Sequence, residues 1–154
     1  MKDLSQQPVR AVPKIRERRP KKSKKMEQFK GVKIPSRRVR GQISKADYEK
    51  ALEYWGGGCA VTGQLTVEMH HAKFRSSGGR GTWRNLVPLI QPLHRKCHTD
   101  REFADYWRQE LEKRFGPWYW ADRFDLYKAG LIPNATHEAF EKFMREEEAR
   151  CSGG

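Results

Sequence analysis

Apolar and polar positions follow two rhythms along this chain of 154 residues. Tyr48, Leu52 and Trp55 recur at three- and four-residue intervals, the spacing of one helical face. Ser44-Lys45-Ala46-Asp47 precedes them like a capping box, its acid placed to reach back, and Gly56-Gly57-Gly58 stops the run. This predicts a helix at about 45–55. Residues 66–73, Thr-Val-Glu-Met-His-His-Ala-Lys, follow a turn-like Thr62-Gly63 and carry β-compatible side chains, so a strand is expected there. A loop rich in Gly and Ser, 75–82, leads to a second strand candidate at 83–90. Pro88 has no amide to donate, which restricts that strand to an edge or an early end.

Pro92 suits a first helical turn, and Phe103, Tyr106, Trp107 and Leu111 continue a helical stripe up to Gly116-Pro117. One long helix at about 93–114 is expected. Trp118, Tyr119, Trp120, Phe124, Leu126 and Tyr127 are expected to form a largely aromatic cluster covering the core. Phe140, Phe143 and Met144 mark a last helix at about 136–149.

Charge changes the picture at the N-terminus. Residues 1–45 hold 16 Lys and Arg against Asp3, Glu17 and Glu27, and the remainder is balanced, so the net +13 resides in the opening segment. With few large apolar side chains it cannot offset the entropy of ordering itself, and residues 1–42 are expected to be a disordered basic arm, leaving 43–150 as one small domain. Such an arm is attracted to polyanions. Lys21, Lys22, Lys24, Lys25, Arg37, Arg38 and Arg40 are the candidate nucleic-acid contacts. A solubility tail or a receptor-read address uses similar runs. No apolar run reaches the length of a membrane span, no secretory pattern follows the N-terminal Met, and Cys59, Cys97 and Cys151 make an odd, unpaired set. A soluble protein of a reducing cytoplasm, in a bacterial or phage-infected cell, is expected.

The candidate chemistry lies in the histidines. Four of five fall within 29 residues, as the pair His70-His71 and the helical pair His94 and His98. Residues four apart share a helix face, so His94 and His98 can converge on one ion. Side chains alternate along a strand, so one of His70 and His71 can join them while the other faces elsewhere. Three imidazoles leave a coordination position open, which is the arrangement of a catalytic metal rather than a structural one.

His70-His71, Arg75-Ser76-Ser77-Gly78-Gly79, Asn85-Leu86-Val87-Pro88-Leu89, His94 and His98 together resemble the HNH, or ββα-metal, nuclease motif in order and spacing. The resemblance covers about residues 59–100. It implies an α+β domain with a small ββα-metal core (His-Me finger) and flanking helices. It also implies a metal-dependent endonuclease that nicks or cuts DNA, with one divalent ion (Zn, Mg, Mn or Ni) on His70, His94 and His98, His71 as general base, and Asn85 tying the loop and orienting that base. Many members of the family add a structural zinc on two Cys-x-x-Cys pairs. Here the corresponding positions read Cys59-Ala60-Val61-Thr62 and Ile90-Gln91-Pro92-Leu93, so no structural zinc is expected; Cys59 should be a core residue and Ile90 and Leu93 an apolar contact. Cys97 lies between two ligand positions and is a marginal candidate for the metal.

Lys73, Arg75, Arg80 and Arg84 flank the motif, and Arg75 is the first choice to grip the scissile phosphate, although arginines in Gly-rich loops are more often simply solvated. Trp118, Tyr119 and Trp120 fit core packing better than base stacking, His137 fits a surface or capping role, and Asn134-Ala135-Thr136 matches a glycosylation acceptor without other signs of secretion. DNA, double-stranded or single-stranded, is the expected partner. Length and arm also resemble phage and prophage HNH nucleases, including recombinase-dependent ones, which implies a recruiting protein such as a recombinase filament or a phage packaging factor. The alternatives are a non-catalytic DNA-binding module with a structural metal site, and a ribonuclease.

Overall fold

The computed structural model describes residues 27–154, so Lys21, Lys22, Lys24 and Lys25 lie outside the described residues. Helices and two small antiparallel sheets make an α+β architecture. The chain enters through a hairpin of β1 (Glu27–Phe29) and β2 (Val32–Ile34), continues into one helical turn, α1 (Arg37–Arg40), and then α2 (Lys45–Tyr54). A second hairpin pairs β3 (Glu68–His71) with β4 (Leu86–Leu89), with His70 opposite Val87 and His71 opposite Leu86. It runs directly into α3 (Gln91–Thr99), followed by α4 (Arg101–Phe115), α5 (Arg123–Lys128) and α6 (His137–Ser152).

Residues 27–42 correct the expectation of an arm reaching to 42. Lys30 and Gly31 both have positive φ, the backbone of a two-residue hairpin turn, and Ile34 at the end of β2 is 1% exposed. Arg40 is also corrected as a free nucleic-acid contact. Its guanidinium is buried against Asp122 and Asp125 at 2.6 Å each. Arg80 joins the same carboxylates from the other side, with Nε and Nη2 on Asp125 at 2.7 and 2.8 Å. Two guanidiniums and two carboxylates thus bind the N-terminal segment to the N-terminus of α5, where Asp122 also caps the helix. Arg84, 2% exposed, is held by Glu141 and Glu148 of α6. Arg80 and Arg84 are each fixed in an ion-pair network.

The expected long helix is two. Asp100 is extended (φ −115°, ψ 109°) and its carboxylate accepts from the Phe103 amide, so it ends α3 and caps α4. The second strand starts late because 83–85 form a 3₁₀ turn. Ser44 caps α2 as expected, but Asp47 does not close the box on the Ser44 amide: its Oδ2 accepts from the Ser44 hydroxyl at 2.5 Å and its Oδ1 from the Trp83 amide at 3.0 Å, tying α2 to β4's entry. Thr136 caps α6 and bonds Asn134, which gives the Asn-Ala-Thr triplet a structural use, and His137 is the exposed first residue of that helix.

The core lies between the β3–β4 hairpin and helices α3, α4 and α6, where Val87, Leu89, Trp107, Leu111, Phe140 and Met144 are buried together. Cys59 and Cys97 are in it, and Ile90 and Leu93 pack on it, so the apolar contact expected in place of thiolates is present. Tyr119 is buried there as well. Among the described residues, no helix is long and apolar enough to cross a membrane.

The Asp125 carboxyl is held down to about 2 by Arg80 and Arg40 against the cost of its burial. A depressed folded-state value contributes stability that is complete above the unfolded value near 3.8 and is lost as pH falls toward 2. Asp125→Asn should therefore lower stability by about 3 kcal/mol at pH 6. The gap from the native chain should close between about pH 4 and pH 2 in urea titrations, and a pH-independent gap would contradict the network's charge.

Candidate metal centre

The site is built where β3 packs against α3. Residue 70 faces inward on β3, and the i, i+4 pair on α3 presents two imidazoles to it. Ring centroids of His70 lie 5.3 Å from His94 and 5.5 Å from His98, and those two are 5.0 Å apart. One ring nitrogen from each residue lies within 4.8 Å of the others, close enough to hold one metal ion. The two helical Nε2 atoms are 3.3 Å apart, near the roughly 3.4 Å separation that two imidazoles at zinc bonding distance require.

The chemistry of the three donors fits a metal. His70 is fully buried, and neither of its nitrogens has a protein partner. Leaving both unpaired in a dry site is costly unless something accepts a lone pair. Burial, then the neighbouring His94 and His98, pushes its imidazole down to about 3, so the ring stays neutral and able to ligate. His94 Nδ1 donates to Glu68 Oε2 at 2.5 Å, which fixes the tautomer and turns Nε2 toward the cluster. His98 is stacked on Phe74 at 5.2 Å and 17°. Cys97 takes no part: it is buried in the core and its thiol is pushed up to about 11 by that burial.

His71 lies beside the cluster rather than in it. Its Nε2 donates to the Gly41 carbonyl at 3.1 Å, leaving Nδ1 as the free lone pair. Burial lowers its pKa despite that bond. His71, the three-histidine cluster and Arg75 all line one open cleft of about 470 Å³. Arg75 is exposed on the loop after β3 and has no carboxylate partner among the described residues. Its Nε packs over Gly41, 3.2 Å from where a Cβ there would sit.

Asn85 is fully buried, and its side chain makes no hydrogen bond to His71. Its Oδ1 accepts from the Lys73 amide, and its Nδ2 donates to the carbonyls of Lys73 and Arg80 at 3.1 and 2.9 Å. It closes the 73–80 loop into a fixed shape two residues beyond His71. Gly79 is part of the same closure, since a Cβ there would lie 1.8 Å from the Lys73 carbonyl oxygen. Arg108 of α4 reaches the strand end as well, donating to the Ala72 carbonyl at 3.0 Å and stacking on Phe74.

Of the sequence candidates, His70, His71, Arg75, His94 and His98 come together, Asn85 shapes their loop, and Arg40, Arg80 and Arg84 are held elsewhere by acids. Lys73 lies over the Trp120 ring at 3.1 Å rather than in the cleft. Glu68, Phe74, Gly41 and Arg108 were not singled out from sequence. Only Glu68 carried a signal, as an acid two positions before His70 on the same strand face. Comparisons of the chain with protein families, curated proteins and solved structures return no match.

Because Glu68 orients His94, Glu68→Gln should weaken divalent-metal affinity about 10- to 100-fold in calorimetric titration with zinc. An unchanged affinity would remove Glu68 from the site.

Proposed function

We propose that the protein is a metal-dependent endonuclease of the HNH, or ββα-metal, kind that hydrolyses DNA phosphodiester bonds. One observation carries the reading: the buried, unpartnered His70 completes a three-imidazole cluster, while His71 next to it keeps a free nitrogen in the same cleft. In this reading β3, β4 and α3 are the ββα-metal core, and His70, His94 and His98 hold one divalent ion. Neutral imidazoles suit zinc, nickel or manganese better than magnesium. When bound, the ion stabilises charge developing on the phosphate and the departing 3′ oxygen.

The chain's own residues supply the rest. His71 is neutral at physiological pH because burial disfavours its charged form, so Nδ1 can take a proton from a water as that water's oxygen bonds to phosphorus. The hydrogen bond to Gly41 fixes which nitrogen is basic and stabilises the imidazolium that results. Arg75, with its guanidinium unneutralised at the rim, grips a non-bridging phosphate oxygen. Asn85 is a positioning residue, acting through the loop that carries Arg75. A module binding metal for stability alone has no need of His71 or of an open cleft, which favours the enzyme. The exposed Arg37 and Arg38 and the lysines of the first 26 residues pair with phosphates and position DNA without reading its sequence.

His71→Ala should abolish nicking of supercoiled plasmid and leave zinc stoichiometry intact; retained nicking would remove the general base. Running the same assay on RNA decides between nuclease types. Deleting residues 1–26, while keeping the hairpin that the fold uses, should flatten the log–log salt dependence of DNA affinity by about 0.9 for each phosphate that the deleted cations had neutralised. An unchanged slope would reject the arm as a DNA-binding element.

A further inference from the structure

A second cleft, of about 600 Å³, lies on the side of α5, outside the histidine cleft. Four of its lining cations are Arg37, Arg40, Arg80 and Lys128, and two of its walls are Trp118 and Trp120. Their charges are not equally available. Arg40 and Arg80 share Asp122 and Asp125, and Lys128 is paired with Glu27. Arg37 has no carboxylate among the described residues. Its Nη2 donates to the carbonyl of Ser76 at 2.6 Å, and Ser76 lines the histidine cleft. One unneutralised guanidinium therefore stands between the two clefts, fixed by a neutral acceptor.

Arg80 supplies a second pointer. It is 8% exposed, uses Nε and Nη2 on Asp125, and leaves the buried Nη1 with no acceptor among the described residues. The aromatic walls pack on the edge of the core. Tyr119 between them is buried, whereas Trp118 and Trp120 are only partly covered, with ring centroids 5.7 Å apart and planes tilted by 34°. A donor lacking an acceptor, partly open indole rings and a free cation at the rim form the combination that single-strand binders use on a base and its phosphate. The volume lies within the usual range for small-ligand sites, about 300–1,000 Å³.

We infer that this cleft takes one unpaired nucleotide of the substrate strand, its base against Trp118 and Trp120 with a polar acceptor toward Arg80, and its phosphate on Arg37. The inference rests on the nuclease reading for the identity of the strand, and it makes the preferred substrate single-stranded or locally unpaired rather than continuous duplex. Duplex DNA cannot enter without extruding a base, an unstacking cost that a single strand does not carry.

The test uses the full chain and a single-stranded oligonucleotide of about 12 nucleotides with one 5-iodouracil, within the span such sites cover. Photocrosslinking followed by peptide mass spectrometry should place the adduct on Trp118 or Trp120. Trp118→Ala should weaken binding of the oligonucleotide about tenfold, Trp118→Phe should restore it, and Arg37→Ala, on an exposed residue, should weaken it similarly. An adduct mapping elsewhere, or native affinity in both alanine variants, overturns the pocket. The two readings fail separately: plasmid nicking without an adduct at these tryptophans removes the nucleotide pocket alone, and an adduct there in a protein that cuts nothing removes the nuclease alone.

Discussion

The burial of one imidazole organises the centre of this molecule. His70 is completely enclosed, yet no protein group satisfies either of its nitrogens. A desolvated polar ring of this kind is tolerated when a ligand completes it. The surrounding arrangement is consistent with that: β3 holds the ring from one side, α3 supplies two more imidazoles from the other, and Glu68 and Phe74 fix the orientation of those two.

Rigidity around the ring comes from polar closures more than from apolar mass. Asn85 uses its side-chain oxygen and amide nitrogen to bind the loop after β3, and Gly79 lets the chain pass against the Lys73 carbonyl. The same loop carries Arg75 on the cleft side, and its Arg80 end is anchored to α5 through Asp125. A single loop thus connects the histidine cleft to the ion-pair network and the tryptophan-lined cleft. Arg37 reinforces the connection through Ser76.

That network also explains why residues 27–42 are structured despite their basic composition. Residues 27–42 are no more apolar than the residues before them, but Arg40 finds two carboxylates and Ile34 finds a buried site. Arginine suits this role because its planar fork can serve both acids at once. Where such partners exist a basic stretch becomes structure, and charge counting along the chain has no means of distinguishing it from an arm.

Local pattern determined much of what is built here. The helices at α2 and α6, the β3 and β4 strands and the spacing that lets three histidines meet all follow from periodicity, caps and turn residues, which act over a few positions. The break at Asp100 was also written locally, in a capping aspartate before Arg-Glu-Phe, but the continuing apolar stripe concealed it. Tertiary structure alone decided which arginines are free. Arg40, Arg80 and Arg84 are indistinguishable from Arg37 and Arg75 by type and neighbourhood, and what separates them is whether Asp122, Asp125, Glu141 or Glu148 arrives from 40 or more residues away. The same holds for the Gly41 carbonyl that sets the His71 tautomer, because a hydrogen bond across 30 residues leaves no periodic trace in sequence.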